Sequence, residues 1–302
     1  MKQIRIALLA LAAAIAAAIG SWFLANGLQA PPADDAQPPE QSQAVPAAPP
    51  ADSSAARPEA APEPPMQAQP VAPQPEPLPQ PDVQAITDLQ EKLRQATDYQ
   101  TFFDKLRSLY PAEYKSALLS GAAQNMAGQD NAPDLFLAEA VRQLRLKRGL
   151  LGAKAGTESL DHLFDLHLAV MQRLASSDPA LCVDFLNGAP ADTFVAFTAA
   201  NRALMAEASL AGLLAIDDGA QKKIDRDAPT PQDFDALETA LSARGLDKPG
   251  IALLLDGKAP NPPLSDAQMC KNGMTYLETL KSLPEPLRAR LYALALEVTA
   301  RE

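Results

Sequence analysis

The amino-acid sequence predicts an all-α protein in three parts: a transmembrane helix within residues 1–30, a disordered proline-rich linker over residues 31–82, and a multi-helix domain over residues 83–302. Three observations lead to this prediction. Residues 6–28 form an uncharged, mainly apolar run, and prolines are concentrated in the residues that follow. From Val83 onward, apolar side chains recur every three or four residues, which is typical of amphipathic helices, and no alternating strand pattern occurs.

The first apolar run is long enough to cross a membrane, because about 20 apolar residues in a helix span the hydrocarbon core. Lys2 and Arg5 precede residues 6–28, so the positive-inside rule places the N-terminus in the cytoplasm. We therefore expect a single-pass protein of a bacterial inner membrane with its C-terminal domain in the periplasm. The alternative is a cleaved signal peptide, for which residues 25–27 (Ala-Asn-Gly) offer a weak cleavage site, and a secreted or periplasmic product.

The linker contains 17 of the 29 prolines of the chain and few large apolar side chains. Such a segment buries too little surface to offset the entropy of ordering it. We interpret residues 31–82 as a spacer, or alternatively as a ligand for a proline-binding or cell-wall partner. The chain has a net charge of −11, of which residues 83–302 carry −6. An acidic domain is a poor nucleic-acid binder, because phosphate contacts require Lys and Arg.

The helices of the domain are predicted from apolar spacing and from their start and stop residues. In the first half, the predicted helices run from Val83 after an Asp82 N-cap, over 99–109, over 111–127, from Pro133 to a C-cap at Gly149, and over 157–176. In the second half, they run from Pro179 to a stop at Gly188, over the largely buried 192–216, over 230–245 from a Thr230 and Asp233 start, over 249–256, from a Ser265 and Gln268 capping box, and from Pro284. Residues 217–229 are predicted to be mainly loop. The whole is expected to be a helix bundle or an irregular α-superhelix.

Two features of the domain suggest specific contacts. Cys182 and Cys270 are expected to form a disulfide in an oxidising compartment, although two buried free thiols or an intermolecular bridge are alternatives. Arg142, Arg145 and Arg148 share one rough helix face. They either stabilise a helix C-terminus that Gly149 caps, or form a patch that meets anionic lipid, wall polymer or a protein partner.

The sequence contains no phosphate-binding loop, nucleophile elbow or metal-binding motif, so no cofactor or metal is predicted. His167 lies in the apolar stripe of its helix and His162 does not, so the two are not expected to share a ligand. Glu158, Asp161 and Asp165 share a helix face. They are either a solvated face or the paired carboxylates of a glycan hydrolase.

These observations lead to two functional expectations. The first is a non-enzymatic interaction or scaffold module of the cell envelope, with an envelope protein or the cell wall as its partner. The alternative is a periplasmic cell-wall hydrolase that uses paired carboxylates.

Overall fold

The computed structural model describes residues 83–186 and 193–301, and all of the secondary structure in these residues is helical. The prediction of an all-α domain is confirmed for this part of the chain. The predicted anchor and linker, the Asp82 N-cap and the Gly188 stop lie outside the described residues. Within the described residues, no helix combines the length and the apolar character needed to cross a membrane.

The described residues contain twelve α-helices and two short 3₁₀ turns (Thr97–Tyr99 and Met126–Gly128). The helices, in chain order, are α1 (Val83–Gln95), α2 (Gln100–Leu109), α3 (Pro111–Ala123), α4 (Ala132–Gly152), α5 (Thr157–Ser177), α6 (Pro179–Leu186), α7 (Thr193–Ala200), α8 (Arg202–Lys222), α9 (Pro231–Ala243), α10 (Lys248–Asp256), α11 (Asp266–Ser282) and α12 (Glu285–Thr299).

The start of α9 shows how local sequence fixes a helix end. The Thr230 hydroxyl accepts a hydrogen bond from the Asp233 backbone N–H, and the Asp233 carboxylate accepts one from the Thr230 N–H. Pro231 occupies the first turn, where its missing N–H costs nothing. Ser265 similarly accepts a hydrogen bond from the Gln268 N–H at the start of α11. The helix starts predicted at these two positions are confirmed, but the predicted capping box at Ser265 is only half formed, because the Gln268 side chain donates to Asn272.

The predicted long helix over 192–216 is wrong, because Asn201 divides it into α7 and α8. The Asn201 side chain donates to the Phe197 carbonyl at 2.8 Å and accepts from Arg173 Nε at 2.8 Å. The Phe197 carbonyl thus accepts a hydrogen bond from the Asn201 side chain, as an alternative to the backbone N–H of a continuing helix. The loop predicted for 217–229 is also partly wrong, because α8 continues to Lys222.

The predicted C-cap at Gly149 is wrong as well, because α4 continues past it to Gly152. Gly149 instead lies where α4 meets the end of α12. A Cβ atom at Gly149 would lie 2.8 Å from the Cβ of Ala300, which is too close for two carbon atoms. Close packing against Ala300 therefore requires glycine at this position. The sequence alone does not distinguish such a glycine from one that caps a helix.

The core forms two hydrophobic clusters that share α8. The N-terminal cluster is built mainly from α1 to α4, and the C-terminal cluster mainly from α5 to α12. Leu213 and Ile216 of α8 belong to the first cluster, whereas Ala211 and Ala215 belong to the second. Since α8 buries side chains in both clusters, it is the central helix of the domain, as predicted for part of its length.

The connection between α4 and α5 is held tightly by the C-terminal end of α8. Gly219 approaches this connection so closely that a Cβ there would lie 1.8 Å from the Leu151 carbonyl oxygen. The Gly156 N–H donates to Asp218 at 2.7 Å, and the Ile224 N–H donates to the Lys154 carbonyl at 3.1 Å. Only glycine permits this approach of two backbone segments.

Cys182 and Cys270 form a disulfide with a Cα–Cα distance of 5.7 Å. The bridge joins the short helix α6 to α11 and closes a loop that contains α7 to α10. The predicted pairing is therefore confirmed, and neither of the alternatives holds.

Candidate functional site

The candidate functional site is an apolar cavity where α4, α5, α8 and α12 meet, between the two hydrophobic clusters. Its volume is about 100 Å³, and it is partly open to solvent. An engineered apolar cavity of about 150 Å³ in another protein binds benzene, so this cavity is large enough for part of a small apolar ligand. Its apolar wall residues include Val141, Leu144, Leu163, Phe164, Ile216 and Leu296.

The cavity exists partly because α8 carries a glycine at its wall. A Cβ atom at Gly212 would meet only Leu163 Cδ1, at 4.0 Å. This is an ordinary contact, so the helix could carry a side chain at this position, and that side chain would occupy free space. Gly212 thus differs from Gly219 on the same helix, where close packing requires glycine.

The cavity contains few polar groups. Among the described residues, its polar side chains are Arg145 of α4, His167 of α5, Ser209 of α8 and Thr299 of α12, and of these Arg145 carries a charge. Arg145 is half-buried, and its Nη1 donates to the Thr299 carbonyl oxygen at 3.2 Å. Mostly apolar walls with a small number of polar groups are typical of ligand pockets.

Two exposed leucines lie beside this site on α4. Leu146 and Leu150 are each 48% exposed, which is high for leucine in a folded domain. They follow Arg145 and Gly149 by one residue, so they lie about 100° further round the helix. The pair adds exposed apolar surface on the same helix that lines the cavity.

The three arginines of the predicted patch have different partners. Arg142 forms two hydrogen bonds with Glu139 on its own helix, and Arg148 pairs with Glu113 of α3 at 2.8 Å. Only Arg145 lines the cavity. The interpretation that they stabilise a C-terminus capped by Gly149 does not hold, since α4 ends three residues later. The interpretation as a patch for an anionic partner stays a prediction.

Four carboxylates are buried in the described residues, and an arginine contacts each of them. The pairs are Glu113 with Arg148, Asp134 with Arg202, Glu139 with Arg142 and Asp233 with Arg290, at N···O distances between 2.7 and 2.8 Å. Asp134 also accepts a hydrogen bond from the Tyr99 hydroxyl at 2.6 Å. Because a charge is stable in a protein interior only when it is paired, these arginines stabilise the buried carboxylates.

The arginines also affect the pKa values of three of these buried carboxyl groups. Burial is the largest single effect on Glu113 and Glu139 and by itself raises the pKa of each. The hydrogen bond from the arginine, further hydrogen bonds and the arginine charge together outweigh burial, so the pKa of each lies below its usual value. At Asp233 the hydrogen bond from Arg290 is the main cause of a lowered pKa. A general acid needs a raised pKa, so these three groups are poorly suited to donating a proton near neutral pH.

The carboxylates proposed for hydrolysis are also engaged in the structure. Asp161 forms a two-bond pair with Arg288 of α12, at 2.6 and 2.8 Å, and Asp165 pairs with Lys281 of α11 at 2.6 Å. Glu158 is exposed. The first two therefore connect α5 to neighbouring helices.

Asp184 of α6 differs from these carboxyls, because its pKa lies above its usual value. Burial, followed by the negative charges of Asp178 and Asp266, raises its pKa. Asp184 does not line the cavity.

The two histidines are placed as the sequence predicts. His162 is exposed, whereas His167 is half-buried with its ring against Phe164 and Phe185, at centroid distances of 6.4 and 5.4 Å. In the part of the chain that the structure describes, no cluster of three or more His, Cys, Asp and Glu side chains could hold a metal ion. The sequence did not predict the cavity, because its wall residues come from four separate helices.

Comparison with known proteins gives no match: no protein family, curated protein or solved structure is similar to this chain.

Proposed function

We propose that this chain is a non-enzymatic interaction or scaffold module of the bacterial cell envelope. In this proposal, residues 6–28 anchor it in the inner membrane, residues 31–82 act as a spacer, and the helical domain meets an envelope protein or the cell wall in the periplasm. The observation that carries the proposal is a contrast within the domain. Its buried carboxylates are fixed by arginines, whereas its apolar cavity lies beside exposed leucines on α4.

The disulfide supports the proposed compartment. Disulfides form and persist in oxidising environments such as the periplasm, and they are rare in the cytosol. The bridge between Cys182 and Cys270 therefore agrees with export of the domain across a membrane.

The proposed contact surface is the C-terminal half of α4. Leu146 and Leu150 supply apolar area, and Lys147 between them is exposed. Arg142, Arg145 and Arg148 form the proposed cationic part of this surface. Arg142 and Arg148 are paired with carboxylates, so most of the affinity is expected to come from the leucines.

Site-specific photo-crosslinking tests this surface. A photoreactive amino acid replaces Leu146 or Leu150 in the full-length chain, expressed in its native cells. A matched control carries the same amino acid at Leu109, an exposed leucine at the end of α2. We expect one discrete adduct, identified by mass spectrometry, from the α4 positions and not from Leu109. Equal products at all three positions, or none at either α4 position, would contradict the proposed surface.

A hydrolysis assay tests the non-enzymatic part of the proposal. The purified full-length chain is incubated with isolated peptidoglycan, and soluble fragments are measured. The variant Asp184→Asn is the control, because Asp184 is a half-buried carboxyl with a raised pKa. We expect no release by either protein. Release by the parent that is lost in Asp184→Asn would establish the hydrolase instead.

A further inference from the structure

The cavity joins an apolar interior to one cationic group. Its walls include Leu163 and Phe164, both buried, whereas Arg145 is half-buried. Apolar walls favour hydrocarbon, and a guanidinium favours a carboxylate or phosphate group. We propose that the cavity binds the first carbons of an aliphatic chain whose anionic head group lies at Arg145.

The volume of the cavity limits how much of the chain enters. A methylene group takes up about as much space as a water molecule, roughly 30 Å³, so a cavity of about 100 Å³ holds about three of them. Additional carbons leave the cavity on the side that is open to solvent. The ligand class is therefore an amphiphile with one anionic head, either a free fatty acid or an anionic phospholipid.

This inference goes beyond the proposed function, because a ligand in the cavity does not require a protein partner. It also makes a specific demand on α8. The free space at Gly212 is part of the ligand site, so a large side chain at this position must exclude the hydrocarbon chain.

Photoaffinity labelling of the full-length chain in native membranes tests the inference. One probe is a fatty acid with a photoreactive group on a chain carbon near its carboxylate, and the other is phosphatidylglycerol carrying the same chain. Labelled peptides are identified by mass spectrometry. We expect adducts in the cavity-lining parts of α4, α5, α8 and α12. The probe that labels them shows whether the ligand is a free acid or a phospholipid.

Competition and variants make the test specific. Dodecanoate should compete for labelling at least about tenfold better than dodecanol, because only the former has an anionic head. Gly212→Leu should reduce labelling about tenfold, since displacing two methylene groups is enough for such a loss. Arg145→Gln should remove the preference for dodecanoate. Leu214→Ala, on the exposed side of α8, is the control and should label as the parent does.

Three results would overturn the inference: no labelling of cavity peptides by either probe, unchanged labelling in Gly212→Leu, or equal competition by dodecanol and dodecanoate in the parent. Thermal unfolding establishes whether Gly212→Leu is folded. If it is not, Arg145→Gln decides the question, because a site without an anionic head group would show no change of preference in that variant.

Discussion

Two glycines on α8, two helical turns apart, should respond in opposite ways to the same substitution. Gly→Ala inside a helix is intrinsically stabilising by about 1 kcal/mol. At Gly212 the added methyl group meets only Leu163 Cδ1, at 4.0 Å, so most of this gain should be realised. For a domain of this size, about 1 kcal/mol corresponds to about 2–4 °C in Tm. Gly212→Ala should therefore raise the Tm by that amount.

At Gly219 the same methyl group would lie 1.8 Å from the Leu151 carbonyl oxygen and 2.7 Å from its carbonyl carbon. A carbon atom and a carbonyl oxygen normally approach no closer than about 3.3 Å, so the two backbones must separate by about 1.5 Å. This separation weakens the hydrogen bonds from Gly156 to Asp218 and from Ile224 to Lys154. Overpacking and the weakened bonds together should cost about 3–5 kcal/mol, which corresponds to a Tm lower by about 10 °C.

The assay is thermal unfolding of the full-length chain in a mild detergent, followed by far-ultraviolet circular dichroism. Both variants add one methyl group to the same helix, so each is the control for the other. A Tm for Gly219→Ala within about 2 °C of the parent would refute the close approach of α8 to the α4–α5 connection. A clear loss of stability in Gly212→Ala would refute the free space at the cavity wall.

Three further predictions concern the charges and the disulfide. Arg202→Met leaves the Asp134 carboxylate buried without its guanidinium, so it should lower the free energy of unfolding in urea by about 3–5 kcal/mol. Loss of the exposed ion pair between Arg94 and Glu91 should lower it by less than about 1 kcal/mol. Equal losses in the two variants would contradict this prediction. Replacing Cys182 and Cys270 by Ala should cost about 2–5 kcal/mol and should reduce amide protection in α6 and α11 before α1, which hydrogen exchange measures. The buried carboxyls with arginine-lowered pKa values stabilise the fold above their unfolded-state pKa near 4, and this stability is lost as the pH falls through their lower folded-state values. The urea midpoint should therefore be lower at about pH 3 than at about pH 7, and an unchanged midpoint would refute the assignment.

The sequence predicted features that depend on neighbouring residues. The start of α9 at Thr230 follows from a side chain and a backbone N–H three residues apart, so the pattern and the structure agree. The pairing of Cys182 with Cys270 is the exception, because these residues are 88 apart and the bridge was predicted from an oxidising compartment. Helix periodicity likewise identified most of the helices before any packing was known.

The features that the sequence did not predict depend on contacts between distant segments. Gly149 reads as a helix stop, yet its role is the contact with Ala300, about 150 residues away in the chain. Gly219 lies in a stretch that reads as loop, and its role appears only when the Leu151 carbonyl is placed beside it. The arginine that pairs with each buried carboxylate mostly comes from another helix, so no local pattern identifies it.

The disulfide determines which part of the domain can be extended by tension along the chain. Cys182 and Cys270 are 88 residues apart. When a force is applied to the two ends of the chain, it passes through the disulfide and not through the residues between these cysteines. At about 3.5 Å per extended residue, the disulfide therefore prevents roughly 300 Å of chain from being extended. Helix α8 lies inside that loop, yet its Leu213 and Ile216 are part of the N-terminal cluster, which begins in α1. A force applied to the chain at Val83 would thus act on a cluster that includes two side chains of a helix inside the closed loop, and the disulfide keeps that helix from being extended.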